Sequence, residues 1–380
     1  MTPQSRAAGG KRRPTRQRGP VVAVTGAAGP VGAAIAAALV RRLDAPTGPS
    51  SVVAVDDTRG ELDGVTWRLG DVTDPSVVDR LAGAEVVVHV ADRADLEKAL
   101  AVPGRQRRMR ELRAVQAVTT AAAAAGADRL VVVSSAMVYG ARADNPVPVP
   151  DDAALRADPD DGLVGDLLEI ERVVARTPKV HPGLRVTVVR PAALVGIGVD
   201  TVVTRHFEAP RLLTVKGADT RWQFCHLEDL GEAVATAIEA GLDGPVTVAC
   251  DGALEWADVE ELIGMRRLEL PAGLAFATAE RLHRVGMLPM PPGDLALVVY
   301  PWVVSAQRLR EVGWSPRHTN DECIRLLLEA GAGRHAVAGR RVDRRDAALG
   351  AAGAAVALVA TAAIVRQARS RRARRHRPTL

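Results

Sequence analysis

Short valine-rich runs alternate along residues 21–191 with longer stretches rich in alanine and leucine. The valine-rich runs are apolar at almost every position, which is typical of strands that are covered on both faces. This alternation predicts a parallel sheet with crossover helices. The predicted strands are residues 21–25, 51–56, 65–69, 85–90, 129–134 and 184–189. The predicted helices between them are residues 31–43, 76–81, 107–125 and 164–175.

The alternation weakens after Pro191, where shorter apolar segments follow. These segments are residues 211–215 and 222–227, a helix at 229–240 and a strand at 245–249. They predict a smaller substrate-side lobe, residues 192–335, interleaved with the first domain. The expected fold class is therefore α/β, with a doubly wound parallel-sheet Rossmann domain at residues 20–191, this C-terminal lobe, and a terminal segment at residues 336–380 that contains an apolar helix.

Positive charge is concentrated at the two ends of the chain. The net charge of +5 combines +6 for residues 1–19 and +9 for residues 340–380 with −10 for residues 21–339. Residues 1–19 are too polar to bury an apolar core, and we expect a disordered basic tail there. Basic ends attract polyanions, but a run of like charges is more often solvated or membrane-facing, so nucleic acid is not an expected partner.

Residues 347–365 carry no charged side chain and are followed by an arginine-rich end. A helix of this length can span a bilayer at about 1.5 Å per residue. Alanine and glycine dominate it, however, and the spacing of Gly350 and Ala354 also suits packing against another helix. A membrane anchor and a docked helix both stay open. Because no apolar region follows the basic N-terminus, a secretory signal is not expected and we expect a cytoplasmic protein. If residues 347–365 are a membrane anchor, the protein would be attached to the inner face of the membrane.

The three cysteines, Cys225, Cys250 and Cys323, stand singly in the sequence. They show neither Cys-x-x-Cys spacing nor a neighbouring histidine at ligand distance. The sequence therefore predicts three ordinary thiols, no disulfide framework and no metal site. It leaves the oligomeric state open, including a homodimer.

The first predicted strand runs into Thr25-Gly26-Ala27-Ala28-Gly29-Pro30-Val31-Gly32, with a glycine at every third position. Gly26 permits a tight turn, Gly29 lets the backbone approach a pyrophosphate, and Gly32 lets the next helix pack closely. The N-terminus of that helix would face the negative charge. Strand, turn, helix and a second strand that ends in Asp56 follow in the order of a dinucleotide-binding site.

Asp56 indicates which dinucleotide is bound. A carboxylate at this point accepts hydrogen bonds from the adenosine ribose and repels a 2′-phosphate, which favours NAD. Arg59 lies three residues further on and could offset that repulsion, so NADP stays open.

Several other segments resemble the extended short-chain dehydrogenase/reductase family, the NAD-dependent epimerase/dehydratase group that includes nucleotide-sugar epimerases. The resemblance covers about residues 21–330 and rests, besides the glycine turn, on residues 70–72, 87–91, 134–140, 188–191, 224–230 and 310–316. It implies a dinucleotide cofactor and a sugar-like or other small hydroxylated substrate. The cofactor-binding residues that it implies are Gly26, Ala28, Gly29, Val31, Gly32, Asp56, Asp71, Val72, Val90, Ala91, Ser134 and Pro191.

The chain departs from this family where the family carries its chemistry. A tyrosine and a lysine four residues later normally exchange the proton, but Leu163 and Leu167 stand at those positions. Neither tyrosine of the chain, Tyr139 or Tyr300, has a lysine four residues later. The resemblance places Ser135 in the register of the family's active-site serine, so Ser135 is the catalytic candidate, without an activating partner.

Other polar residues are weaker candidates. Asp166 and Glu169 lie on the altered helix but are expected to be solvated, and Tyr139 is expected to be structural. The family often carries a packing histidine at His89 and His226, and Arg221 is one residue out of register with its phosphate-binding arginine. Two functions stay open: an NAD-dependent oxidoreductase or epimerase with an atypical active site, and a non-catalytic dinucleotide sensor or scaffold tethered at a membrane.

Overall fold

The computed structural model describes residues 19–331 apart from 210, 265–266, 286–287 and 289, together with 335–337 and 340–342. The first 18 residues of the expected basic tail and the apolar stretch at 347–365 lie outside the described residues. Within the described part, none of the helices combines the length and apolarity that crossing a bilayer requires.

The molecule is built on a seven-stranded sheet with the order β10-β6-β5-β4-β1-β2-β3. All of its strand pairs are parallel. The strands of the chain are β1 Val21–Thr25, β2 Ser51–Asp56, β3 Thr66–Leu69, β4 Val86–Val90, β5 Arg129–Val133, β6 Arg185–Pro191, β7 Ala193–Val195, β8 Leu212–Val215, β9 Phe224–His226, β10 Gly244–Val248, β11 Arg267–Leu270, β12 His335–Val337 and β13 Arg340–Val342.

Helices connect these strands and cover both faces of the large sheet. They are α1 Pro30–Arg41, α2 Val77–Leu81, α3 Leu96–Leu100, α4 Gly104–Ala124, α5 Leu163–Val174, α6 Thr177–Val180, α7 Val202–Phe207, α8 Leu227–Glu239, α9 Trp256–Ile263, α10 Ala272–Arg284, α11 Gln307–Glu311 and α12 Asn320–Gly331. Two 3-10 helices, Ala136–Tyr139 and Pro292–Val298, follow β5 and α10 respectively.

The predicted Rossmann sheet is confirmed, and alternate residues of its strands explain the continuous apolar runs. On β1, Val22 and Val24 join one apolar cluster while Ala23 joins another. Successive side chains of a strand point to opposite faces, so both faces of the sheet are buried at its central strands. The edge strand β3 is an exception, since its side chains are half-buried or exposed. Each central strand must therefore be apolar along its whole length.

The large sheet continues past Pro191, where the sequence predicts the second lobe. β10 pairs with β6 in parallel, and α8 packs on α1. Gly231 permits this helix contact, because a Cβ atom there would lie 2.6 Å from the Ala34 carbonyl oxygen. Within residues 227–248, β10 therefore extends the large sheet and α8 joins its helical cover beside α1. The smaller elements are inserted around them.

The order of the strands determines where a ligand can bind. The chain builds the sheet from β1 outward through β2 and β3, then returns to β4 on the other side of β1. At such a reversal the loops after the two central strands diverge, which opens a crevice at their carboxyl ends. The turn after β1 and the end of β4 border this crevice.

Candidate functional site

The glycine turn after β1 is as compact as its sequence predicts. Gly26 has a φ of +75°, and a Cβ atom there would approach the Val90 Cβ to 3.2 Å. At Gly32 a Cβ atom would lie 2.1 Å from the Gly26 carbonyl oxygen. These two glycines therefore let α1 start directly against the turn.

A cavity of about 470 Å³, here called the main cleft, opens above this turn. Eight of the cofactor-binding residues inferred from the sequence line it: Gly26, Ala28, Gly29, Val31, Gly32, Asp56, Val90 and Ala91. Four others are not among its described lining residues: Asp71, Val72, Ser134 and Pro191. Val72 and Pro191 are buried in the fold, and Asp71 is largely exposed.

Asp56 lies at one end of the main cleft and is fixed by the backbone. Its Oδ2 accepts a hydrogen bond from the Ala28 N–H at 2.9 Å, and its Oδ1 accepts one from the Asp57 N–H at 2.8 Å. Asp57 lines the same end, whereas the exposed Arg59 is not among the described lining residues. This end of the cleft consequently carries negative charge.

Another part of the main cleft is bordered by α5, and its lining is apolar at the two positions where the resemblance implies a proton-transfer pair. Leu163, Val164, Leu167 and Ile170 all line it. Aliphatic side chains cannot donate or accept a proton, so these four residues can position a ring or a sugar only by contact.

Ser135 is held by the backbone as a helix cap. Its Oγ accepts a hydrogen bond from the Met137 N–H at 3.4 Å at the start of the first 3-10 helix. Ser135 is buried and is not among the described residues that line the main cleft. The structure places no activating base beside it within the described residues.

Tyr139 and Ser134 belong to a buried hydrogen-bond network around Arg190, which is therefore called the Arg190 network. The Tyr139 hydroxyl donates to the Asp151 carbonyl oxygen at 2.6 Å and accepts from Arg190 Nη1 at 2.8 Å. Ser134 Oγ donates to Glu171 Oε1 at 2.6 Å. Burial raises the pKa of Tyr139 to about 12, so its hydroxyl stays protonated at neutral pH.

Asp166 is buried, which corrects the expectation of a solvated helix acid. Its two carboxylate oxygens accept hydrogen bonds from Arg107 Nε at 2.6 Å and Arg108 Nε at 2.7 Å. The carboxylate lines the main cleft as part of this ion pair. Glu169, by contrast, forms a more exposed pair with Arg172 on the same helix.

The two candidate histidines have structural partners. His89 is buried, its Nδ1 lies 2.8 Å from the Thr25 Oγ1, and burial lowers its pKa to about 3. His226 caps α8, where its Nδ1 accepts the Glu228 N–H at 3.3 Å. His89 is therefore neutral and His226 is committed to the start of a helix.

The fold brings His226 close to Glu228 and to His318, a grouping that the sequence spacing does not reveal. Potential ligand atoms of the three lie within 4.8 Å of one another. The Nδ1 of His226 accepts a backbone hydrogen bond, so in the neutral ring the proton sits on Nε2. Metal binding through Nε2 would require the other tautomer and would break the cap of α8.

Arg221 and the cysteines are not among the described residues that line the main cleft. Arg221 pairs with Asp219 at 3.1 Å and with Glu255 at 3.4 Å.

The cysteines are free, buried thiols, but they do not stand apart as their sequence spacing indicates. Cys250 Sγ and Cys323 Sγ lie 3.7 Å from each other, because α12 packs on β9 and the Cys250 N–H donates to the Phe224 carbonyl oxygen of that strand.

A second cavity of about 490 Å³, here called the side pocket, adjoins the main cleft. The two cavities share three lining residues, Met137, Val164 and Asp294. Phe276 and Tyr300 also line the side pocket, with stacked rings whose centroids are 6.3 Å apart. The sequence reasoning missed Asp294, because it lies in a proline- and glycine-rich segment without a recognisable motif.

The charged residues of the side pocket are largely paired with one another. Arg156 contacts Asp144 at 2.7 Å, and Arg142 contacts Asp158 at 3.2 Å. Asp160 and Asp294 add two more carboxylates to the lining. The pocket therefore offers hydrogen-bond acceptors and an aromatic wall to a ligand.

Comparisons with known proteins agree with this fold. A model of the NAD dependent epimerase/dehydratase family matches residues 22–249. An uncharacterized protein of Mycobacterium tuberculosis is 27% identical over 287 residues, which are 72% of this chain and 75% of that protein.

Solved structures with the same fold include two sugar-nucleotide epimerases. The UDP-glucose 4-epimerase of Thermotoga maritima, solved with UDP-glucose, has a TM-score of 0.59 at 17% identity and covers 82% of this chain and 98% of its own. The Thermus thermophilus UDP-glucose 4-epimerase, in complex with NAD, has a TM-score of 0.58 at 20% identity, with coverage of 82% and 99%.

Proposed function

The chain belongs to the NAD-dependent epimerase/dehydratase family, and we propose that it is an NAD-dependent oxidoreductase or epimerase with an atypical active site. The substrate is a sugar-like or other small hydroxylated molecule. The observation that carries this proposal is the pair of adjoining cavities, one built on the glycine turn and the other meeting it at Met137, Val164 and Asp294.

Residues of the main cleft suit three parts of a dinucleotide. Gly29 and the start of α1 suit the pyrophosphate, because the helix N-terminus favours negative charge. Asp56 suits the hydroxyls of the adenosine ribose. Leu163 and Leu167 form an apolar face that suits contact with the nicotinamide ring. When bound there, NAD would accept or return a hydride.

The negative charge around Asp56 and Asp57 favours NAD over NADP. A 2′-phosphate would meet two carboxylates there. Lys98 also lines the main cleft, but its Nζ is already paired with Asp95 Oδ2 at 2.9 Å. The solved Thermus thermophilus relative, which was crystallised with NAD, supports the same choice.

The first test is to measure the binding of NADH and NADPH by calorimetry. We expect NADH to bind more tightly than NADPH. Asp56→Asn should weaken NADH binding by roughly tenfold or more, because hydrogen bonds to a charged acceptor are worth about 1.5–3 kcal/mol. The same change should improve NADPH relative to NADH, since it removes the repulsion of the 2′-phosphate.

The matched control is Asp63→Asn, which alters an exposed aspartate outside both cavities. It should leave both affinities within about twofold, since solvent and salt screen an exposed charge that does not line the cleft. Equal affinities of the unaltered protein for NADH and NADPH would contradict the role given to Asp56. Failure to bind either dinucleotide would remove the proposed function itself.

A second function is favoured by the replacement of the proton-transfer pair. With Leu163 and Leu167 in place of tyrosine and lysine, the chain could bind the dinucleotide without turnover and act as a sensor or scaffold. The two functions differ in one measurement. An oxidoreductase or epimerase exchanges hydride between bound NAD and a hydroxylated substrate, and the absorbance of NADH measures this exchange. A sensor binds NADH and shows no exchange.

A further inference from the structure

We propose that Asp294 exchanges the substrate proton in this site, in place of the tyrosine that the chain lacks. The inference rests on the proposed function and names the residue that would make it work. The position of Asp294, the burial of its carboxylate without a partner and the charges that face it all favour this role.

Asp294 lies where the two cavities meet. It is one of the three residues that line both, and the other two, Met137 and Val164, are apolar. A hydroxylated molecule in the side pocket that reaches toward a dinucleotide in the main cleft must pass this boundary. Of the described residues shared by both cavities, Asp294 alone can donate or accept a proton.

The Asp294 carboxylate is buried but not committed to another group. The residue is 5% exposed, and its backbone N–H donates to the Pro291 carbonyl oxygen. Within the described residues, its carboxylate forms no hydrogen bond and no ion pair. Asp166, which also lines the main cleft, is by contrast bound by Arg107 and Arg108. A buried carboxylate without a partner is costly to keep, which points to a ligand that supplies one.

The groups that face Asp294 make its charged form unfavourable. Burial is the main cause, and the negative charge of Asp160 adds to it. Arg107 acts in the opposite direction, but its Nε is already bound to Asp166. Together these effects raise the pKa of Asp294 to about 7, which suits a group that takes up and returns protons at neutral pH.

Asp160 and Asp158 come from the loop before α5, which packs against this segment. A Cβ atom on Gly293 would lie 3.3 Å from Asp160 Oδ2 and 4.0 Å from Asp158 Oδ2. Asp158 is paired with Arg142, whereas Asp160 forms no ion pair within the described residues and its Oδ1 accepts the Gly162 N–H at 2.9 Å. The loop thus sets the charge that Asp294 experiences.

The step balances with NAD⁺ as the oxidant. The O–H bond of a substrate hydroxyl breaks and its proton moves to a carboxylate oxygen of Asp294. The electron pair of the broken O–H bond forms a C=O bond with the carbon that carried the hydroxyl. The C–H bond of that carbon breaks, and its hydrogen would leave with the electron pair as hydride, which bound NAD⁺ would accept. In the reverse direction, protonated Asp294 returns the proton to the oxygen.

The test without substrate is the thermal stability of Asp294→Asn at several pH values. The folded-state pKa lies above the unfolded value, so the unaltered protein loses stability as pH rises from about 4 through 7, and asparagine has no such loss. We expect the variant to melt several degrees higher than the unaltered protein at pH 8, with the difference disappearing near pH 4. Asp152→Asn, which changes an exposed aspartate outside both cavities, should show no such trend.

The test with substrate uses NAD⁺ together with UDP-glucose, UDP-glucuronic acid, dTDP-glucose and free hexoses. Asp294→Asn should leave the NADH dissociation constant within about twofold and lower kcat by about 10²-fold or more, the range of general acid–base catalysis. The pH profile of the unaltered protein should report a group near neutral pH that the variant lacks. Asp152→Asn should retain the unaltered rate.

The outcomes separate the inference from the function on which it rests. Failure of the unaltered protein to bind NADH removes both. Binding with no hydride exchange on this panel overturns the role of Asp294 and favours a sensor. Exchange that survives Asp294→Asn, or a melting difference that is independent of pH, overturns the inference while leaving an enzyme.

Discussion

Replacing Glu171 by alanine is expected to lower the free energy of unfolding by about 3–5 kcal/mol. Glu171 is buried in the Arg190 network, where its Oε2 accepts a hydrogen bond from Arg190 Nη2 at 2.6 Å and its Oε1 accepts one from Arg190 Nε at 3.1 Å. Removing the carboxylate leaves a buried guanidinium without its counter-charge. It also removes the acceptor of Ser134. Urea unfolding followed by circular dichroism measures the loss.

The same helix supplies the control. Glu169→Ala removes a carboxylate two residues earlier, where the ion pair with Arg172 is largely exposed, and should cost less than about 1 kcal/mol. A second comparison separates charge from packing: Glu171→Leu combined with Arg190→Met should be more stable than Glu171→Ala alone, because no unpaired charge remains. Equal losses for Glu169→Ala and Glu171→Ala would show that the Arg190 network does not hold α5 to the sheet.

The strands of the large sheet could be predicted closely, and the reason is physical. β1 and β2 begin and end at the predicted residues, since both faces of each are covered and polar residues mark where that cover stops. Helix bounds differ by a few residues, as for α4, which begins at Gly104 rather than residue 107. Helix ends depend on caps and on packing, which a hydrophobic period does not encode.

The site could be predicted only where it is local in sequence. The glycine turn and Asp56 belong to one strand-turn-helix-strand unit, so their spacing alone describes the cleft. Asp294 reaches the same cleft from a segment more than a hundred residues beyond Leu163, and no periodic pattern links the two. The partners of Ser134 and Tyr139, and the approach of Cys250 to Cys323, likewise depend on contacts across the fold.

Gly29→Val is expected to abolish dinucleotide binding while the protein stays folded. Gly29 has a φ of −79° and a ψ of 165°, a conformation that any residue adopts, and a Cβ atom there would meet only the Gly26 carbonyl oxygen, at 3.6 Å. The fold therefore tolerates a side chain at this position, at a cost of about 1 kcal/mol for the poorer helix cap. The valine methyl groups would instead fill the space in which the pyrophosphate must approach the backbone.

We expect the NADH dissociation constant to rise by about two orders of magnitude in Gly29→Val, measured by calorimetry, because the lost contacts include several backbone hydrogen bonds to charge at about 1.5–3 kcal/mol each. Gly183→Val, at an exposed glycine with no atom within 4 Å of the added Cβ, should bind NADH normally. Gly32→Ala should behave differently from both. Its Cβ would overlap the Gly26 carbonyl, so that change should lower stability as well as binding. Normal NADH binding by a folded Gly29→Val protein would show that the pyrophosphate binds elsewhere. The main cleft would then not be the dinucleotide site, even though the fold is a Rossmann fold.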